Sequence, residues 1–130
     1  MKAKFFTIFT ILIVLLATFV STVPVEKCDK VIHVPSPGCG PFARKSTQVV
    51  SWWCVKCKPH DDVTVRILQV GSDCDVEVFK GHGNNAFSGS LSFKIGAHWN
   101  VHKKYFAEVT LKNDPDIVGK GVEFGIFKTQ

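Results

Sequence analysis

The sequence predicts an all-β domain. Short segments in which apolar residues alternate with polar ones recur along the chain, and clusters of Pro, Gly, Asn and Asp separate them. No window keeps an apolar period of 3.6 residues for longer than a turn or two. About seven short strands at regular spacing are typical of an immunoglobulin-like β-sandwich.

The strands are predicted in order along the chain. Residues 23–45 are rich in Pro and Gly and cannot sustain a helix, so they predict extended segments and turns. The predicted strands cover residues 31–34, 47–54, 63–67, 76–79, 91–95, 105–111 and 122–126. Two connections are predicted to be irregular: a long Gly/Asn loop over residues 80–89 and a turn over residues 112–119.

The strand over residues 47–54 contains two adjacent tryptophans. Because successive side chains of a strand point to opposite faces, one is expected in the core and the other at least partly exposed. Alternation places Trp52 with Val50 and Cys54, and Trp53 on the other face. Trp52 is favoured for the core, and the exposure of Trp53 stays open.

The first 22 residues have the pattern of a secretory signal peptide. Two lysines precede an apolar run over residues 5–20, and small polar residues follow it, with cleavage expected near Val23. A membrane anchor is the alternative, but a run of about 16 residues is at or below the length that a spanning helix needs. We expect residues 23–130 to form a single secreted domain, extracellular or in a cell wall, with no stable membrane span after cleavage.

The charge is mildly basic. Without residues 1–22, which hold two lysines and no acidic residue, the formal net charge falls from +5 to +3. The remaining lysines are scattered rather than clustered, so a nucleic acid is not expected as a partner.

Five cysteines favour disulfides in a secreted chain, and they are Cys28, Cys39, Cys54, Cys57 and Cys74. The number is odd, so at least one thiol is left over, which would be free and buried or would link two chains as a disulfide-bonded dimer. The connectivity stays open. Cys54 and Cys57, followed by His60, have the spacing of half a zinc site, but no second pair of ligands completes it. A redox CxxC belongs at a helix start after a strand, so ordinary disulfides are favoured, without a metal or cofactor.

Enzymatic activity is not predicted. The five histidines are expected in loops, and no GxSxG elbow supplies an activated serine. No spacing singles out a pair of carboxylates for glycoside hydrolysis.

Aromatic residues are the better functional signal. Trp53, Trp99 and Tyr105 are the binding candidates, because strand ends and loops can expose a ring that stacks on a sugar or contacts a protein. The alternative is that most aromatic rings pack in the core, which is favoured for Phe93 and Phe124.

These motifs resemble the N-terminal domain of fungal Ser/Thr-rich, GPI-anchored-type cell-wall proteins, which include the Kre/Knh group of β-1,6-glucan assembly proteins. The matching segments are STQVVSW (residues 46–52), the Val-x-Val-x-Ile-Leu strand (63–68), the Gly-Ser-x-Ser-Phe-x-Ile segment (89–95), the Tyr-x-x-x-Val-x-Leu strand (105–111) and the closing Phe-x-Ile (124–126). The likeness runs from Pro35 to Phe127 and implies an immunoglobulin-like fold with a role at the fungal cell surface. It transfers no catalytic residue.

Two departures from that family bear on function. The usual Ser before the closing Phe-x-Ile is replaced by Gly121, Val122 and Glu123, and the Ser/Thr-rich stalk that usually follows is missing. We therefore expect a free secreted module that binds cell-wall polysaccharide or an extracellular protein. The alternatives are a disulfide-stapled effector or toxin-like protein that binds a host protein or membrane, and a lipid carrier.

Overall fold

The computed structural model describes residues 30–129, and within them the chain forms nine strands and no helix. The strands are β1 (Val31–Ser36), β2 (Phe42–Ala43), β3 (Thr47–Val55), β4 (Val63–Gln69), β5 (Val76–Gly83), β6 (Ser88–Lys94), β7 (Tyr105–Leu111), β8 (Asp114–Lys120) and β9 (Ile126–Phe127). The all-β prediction is confirmed for this part of the chain. Across it there is no helix that could span a membrane. The predicted signal peptide, residues 1–22, and Cys28 lie outside the described residues.

Two antiparallel sheets contain the seven longer strands. One has the order β1-β3-β6 and the other has the order β5-β4-β7-β8, while β2 and β9 form a small parallel pair. At one side of the domain β1 contacts β8, and at the other β5 contacts β6. The two sheets therefore pack face to face as a β-sandwich.

The core lies between the sheets and follows the predicted alternation. Every second residue of β3 and β4 is buried, as expected for Val50, Trp52, Cys54, Val63, Val65 and Ile67. Strand β7 differs, because both of its faces are covered: of its seven residues only Thr110 is not fully buried. Each Å² of apolar surface removed from water contributes roughly 25 cal/mol to stability, and this burial holds the two sheets together.

The prediction of a loop over residues 80–89 is wrong at both ends, because the loop is shorter than predicted. Strand β5 continues to Gly83, with Lys80 opposite Arg66 and Gly83 opposite Val63, and β6 begins at Ser88. Residues with weak strand propensity are extended here because β4 supplies a pairing partner, and such tertiary context outweighs propensity.

The turn predicted over residues 112–119 is also wrong, because β8 occupies most of it. The chain reverses at Lys112 and Asn113, and β8 then pairs with β7 through an irregular register that skips residues 115–117. Pro115 is tolerated because β8 is an edge strand. The closing strand is shorter than predicted: Phe124 makes one isolated bridge with Tyr105, and only β9 pairs further.

Candidate functional site

Trp53 is an exposed aromatic side chain on β3, the central strand of the three-stranded sheet, and it points to the outer face of that sheet. Its side chain is 46% exposed, whereas that of its neighbour Trp52 is 3% exposed. The prediction that the two tryptophans point to opposite faces is confirmed. Exposing a large apolar ring has no benefit for folding, so Trp53 is the first candidate for contact with a ligand.

The ring of Trp53 is held by a neighbour on β1. His33 is its direct cross-strand partner, and the two rings stack with centroids 4.0 Å apart and planes 18° apart. The imidazole covers one face of the indole. Since β6 lies on the opposite side of β3 from β1, the uncovered indole face is on the side of Ser88.

Serine residues lie on the β6 side of this ring and along the rows that follow it. Ser88 pairs with Trp53 across β3 and β6, and the next rows pair Ser90 with Ser51 and Ser92 with Val49. We call the outward-facing set the Trp53 face, and it consists of His33, Ser51, Trp53, Ser88, Ser90 and Ser92. None of these six residues is Lys, Arg, Asp or Glu, and the next outward-facing row pairs Thr47 with Lys94. The face combines one flat apolar ring with neutral hydroxyl groups.

Ser51 is held in place by Ser36, which follows the irregularity in the pairing of β1 with β3. Ser36 donates to the carbonyl oxygen of Val49 (3.0 Å) and lies 2.5 Å from the hydroxyl of Ser51, whose backbone N–H donates to Ser36 (2.9 Å). The side chain of Ser51 is therefore already engaged. For Ser88, Ser90 and Ser92 the described residues offer no side-chain hydrogen bond, which leaves their hydroxyls available to a ligand.

Trp99 lies far along the sheet from Trp53. Trp53 sits opposite the first residue of β6, whereas Trp99 follows the end of that strand. Its ring is partly buried and stacks on Tyr105, with centroids 5.1 Å apart, while its carbonyl oxygen accepts hydrogen bonds from Arg44 at 2.9 and 2.5 Å. The structure therefore does not bring Trp99 and Trp53 into one site.

Tyr105 belongs to the core. The prediction that it is exposed as a binding residue is therefore wrong. Its side chain is fully buried, and its hydroxyl donates to the carbonyl oxygen of Asn100 at 2.9 Å and lies 3.2 Å from Gln69 Oε1. Burial raises the pKa of Tyr105. Its place in the alternation, in step with Ala107 and Val109, already indicated an inward direction.

The cysteines form one disulfide among the described residues. It joins Cys54 to Cys57, with Cα atoms 5.5 Å apart, and both cysteines are buried. Cys39 and Cys74 are exposed thiols. Within residues 30–129 no group of three or more His, Cys, Asp or Glu side chains could hold a metal ion.

The outer face of the four-stranded sheet is ion-paired. Arg66 Nε donates to Glu108 Oε1 at 3.0 Å, Nη2 donates to the same oxygen, and Nη1 lies 3.6 Å from Glu77 Oε1. Glu108 is only 8% exposed, and its hydrogen bond raises the pKa of Arg66. These charges satisfy one another, so this face is less suited than the Trp53 face to an external ligand.

A cleft at one end of the sandwich was not anticipated from the sequence. It has a volume of about 460 Å³, lies where the β5–β6 loop crosses between the sheets, and is called the end cleft here; its lining includes Trp52, Asp62, His82, Asn84, Ser88 and Lys112. The Gly/Asn-rich composition of residues 80–89 was its only signal in the sequence.

Trp52 and the loop are tied together at this cleft. The indole N–H of Trp52 donates to the carbonyl oxygen of Asn85 at 2.9 Å. A Cβ atom on Gly83 would come within 2.6 Å of the indole, and one on Gly89 within 2.5 Å. Only glycine allows the two strands to approach the ring so closely, so both residues shape the cleft wall.

No known protein family model matches this chain, and no curated protein matches it. Its function must therefore come from the chemistry of its own surface.

Proposed function

We propose that this chain is a small, secreted, non-enzymatic β-sandwich that binds polysaccharide at a cell wall or extracellular surface through the Trp53 face. The observation that carries the proposal is the 46% exposed Trp53 ring, held by His33 within a row of neutral hydroxyls. The signal-peptide pattern of residues 1–22 and the resemblance to fungal cell-wall proteins support the location.

The chemistry of this face suits a neutral sugar. The C–H-bearing face of a sugar ring packs on an indole, which is flat, apolar and rigid. Sugar hydroxyls donate and accept, as do the hydroxyls of Ser88, Ser90 and Ser92. Because its six residues include no Lys, Arg, Asp or Glu and the next row adds only Lys94, the face has no cluster of charge that would attract a charged polymer.

Binding of an extracellular protein is the second candidate. An apolar rim borders Trp53, with Val31, Val49 and Val55 each about two-fifths exposed. A tryptophan within an apolar patch is typical of a protein-binding hot spot. The lipid carrier is less favoured, because polar side chains dominate the end cleft.

We infer further that the sandwich is immunoglobulin-like. In that fold the first, second and fifth strands share a sheet and face the third, sixth and seventh. The seven longer strands here follow this division, with β1, β3 and β6 in one sheet and β4, β7 and β8 in the other. The fourth, β5, joins the second sheet at its edge, which is a variation on the constant-domain arrangement.

Pull-down on insoluble polysaccharide tests the binding proposal. Purified protein is mixed with insoluble glucan, chitin or cell-wall material, and we expect retention that Trp53→Ala abolishes. Phe127→Ala is the matched control, since Phe127 is 46% exposed like Trp53 but lies on β9, outside both the Trp53 face and the end cleft, and this variant should be retained like the unaltered protein. No retention of the unaltered protein on any of these polymers would refute the carbohydrate proposal and leave the protein partner.

A further inference from the structure

We propose that the end cleft is a second sugar subsite, which takes the next part of the same saccharide chain that stacks on Trp53. The inference rests on the proposed function and adds a second point of contact on the same ligand. Its basis is the chemistry of the cleft and its continuity with the Trp53 face.

The cleft offers a mixed set of polar groups over an aromatic floor. His82, Asn84 and Lys112 line it, and within the described residues none of these side chains is engaged in a hydrogen bond or ion pair. The lining also contains one carboxylate, that of Asp62, and one ammonium group, that of Lys112. An anionic ligand would therefore meet no excess of positive charge, whereas the hydroxyls of a neutral sugar would find both donors and acceptors.

The walls of the cleft are held in place by backbone contacts. The carbonyl oxygen of Asp62 accepts from the N–H of Lys112 at 2.9 Å, and the carbonyl oxygen of Asp61 accepts from the N–H of Ala86 at 2.8 Å. Asn85 Oδ1 accepts from the N–H groups of Phe87 (3.0 Å) and Ser88 (3.3 Å). A cleft fixed in this way loses little conformational entropy when a ligand enters it.

Ser88 and Ser90 belong to both surfaces. They line the end cleft, and they are the cross-strand partners of Trp53 and Ser51. The uncovered face of the Trp53 indole is on their side, so a chain stacked there is directed across β6 towards the cleft. Cross-strand partners lie about 5 Å apart, and the passage from one subsite to the other is short.

Binding of oligosaccharides of increasing length tests the inference. Glucan and chitin oligosaccharides are titrated into isotopically labelled protein while the indole N–H signals are followed by NMR. We expect short ligands to shift the Trp53 signal alone and longer ones to shift the Trp52 signal as well, because the Trp52 N–H is bound to the cleft wall. Affinity should rise with length until both subsites are filled.

Two variants separate the subsites. Asn84→Ala should weaken the binding of the longer oligosaccharides by about threefold to tenfold, the effect of one lost hydrogen bond, and leave short ones unchanged. Asn113→Ala is the matched control, as an exposed asparagine of the adjacent β7–β8 turn outside the cleft.

The possible results are distinct. If Trp53→Ala abolishes binding while Asn84→Ala and Asn113→Ala behave alike at every length, the second subsite is refuted and the proposed function stands. If no saccharide shifts either indole signal, both proposals fail.

Discussion

The imidazole of His33 stacks on the indole of Trp53, with ring centroids 4.0 Å apart and planes 18° apart. The two residues are direct partners across β1 and β3, so the register of the sheet brings the rings together. The contact restricts the indole to one orientation before any ligand arrives, which lowers the entropic cost of binding.

Substitution of the two adjacent tryptophans is expected to affect stability to very different extents. Trp52→Ala should lower the free energy of unfolding by about 3–5 kcal/mol, because it leaves a cavity in the core. Trp53→Ala should lower it by no more than about 1 kcal/mol, the most that its cross-strand contact with His33 contributes. Urea denaturation followed by circular dichroism measures both, and equal losses would contradict the assignment of the two faces.

Removal of the stacking partner is expected to weaken polysaccharide binding without abolishing it. His33→Ala should reduce affinity about twofold to fivefold, since a cross-strand aromatic pair contributes up to about 1 kcal/mol. His33→Phe keeps a ring at that position and should restore most of the affinity. Depletion of the protein from solution by the polymer measures each variant, and a loss as complete as that of Trp53→Ala would argue for direct contact between His33 and the ligand.

Tyr105 should make the protein less stable at alkaline pH. Below its unfolded-state pKa near 10, the hydroxyl is protonated in both states and its contribution is fully present. As the pH rises through that value towards the raised folded-state pKa, the unfolded chain releases its proton first, so the free energy of unfolding falls.

The chain offers a direct measurement of this effect, because Tyr105 is its only tyrosine. The ultraviolet absorbance of tyrosinate should appear at higher pH in the folded protein than in urea. Tyr105→Phe, which should lose about 1 kcal/mol at neutral pH through its missing hydrogen bonds, should approach the unaltered protein in stability as the pH rises. Identical titrations in the folded and unfolded states would contradict the burial of this hydroxyl.

In the charged cluster on the four-stranded sheet, loss of Arg66 should lower the free energy of unfolding much more than loss of the Glu77 charge. Arg66→Met leaves the carboxylate of Glu108 buried without its donor and should cost about 1–3 kcal/mol. Glu77→Gln is the matched control, because that pair is exposed and should contribute no more than about 1 kcal/mol. Thermal or urea unfolding compares the two, and an equal small effect would show that Glu108 is reached by water.

Peptide mapping without reduction should find Cys54 linked to Cys57. Cys39 and Cys74, which are exposed, should react with a thiol reagent in the folded protein unless they have paired with another chain or with Cys28. Native mass measured on the same sample shows whether the odd cysteine stays free or links two chains. Rapid labelling of Cys54 or Cys57 without unfolding would contradict the buried bridge.

Local alternation was sufficient to predict the central strands. In β4 the apolar residues Val63, Val65 and Ile67 recur at every second position, and the structure buries them as expected. In β3 apolar residues occur on both faces, and the buried set is Val50, Trp52 and Cys54. Residues 80–83 and β8 could not be predicted in this way, because Gly, His, Asp and Pro have little strand propensity of their own. They become extended only through pairing with β4 and β7, which are distant in the sequence.

The candidate site was predictable to a lesser degree. The alternation separated Trp53 from Trp52 but did not say which residue would stack on it, since His33 reaches the ring only through the pairing of β1 with β3. Tyr105 could have been assigned to the core from its parity with Ala107. The end cleft depends on three separate turns that meet at one end of the sandwich, and no local pattern describes such a meeting.

The hydrogen bond from Trp52 to Asn85 has a practical consequence for protein engineering. Because a core side chain is anchored to the β5–β6 loop and two glycines fit closely around it, an insertion in that loop would disturb the interior as much as a core substitution. A peptide tag or fluorophore is better placed at the exposed connection between β4 and β5, at Ser72 and Asp73, which do not line the end cleft.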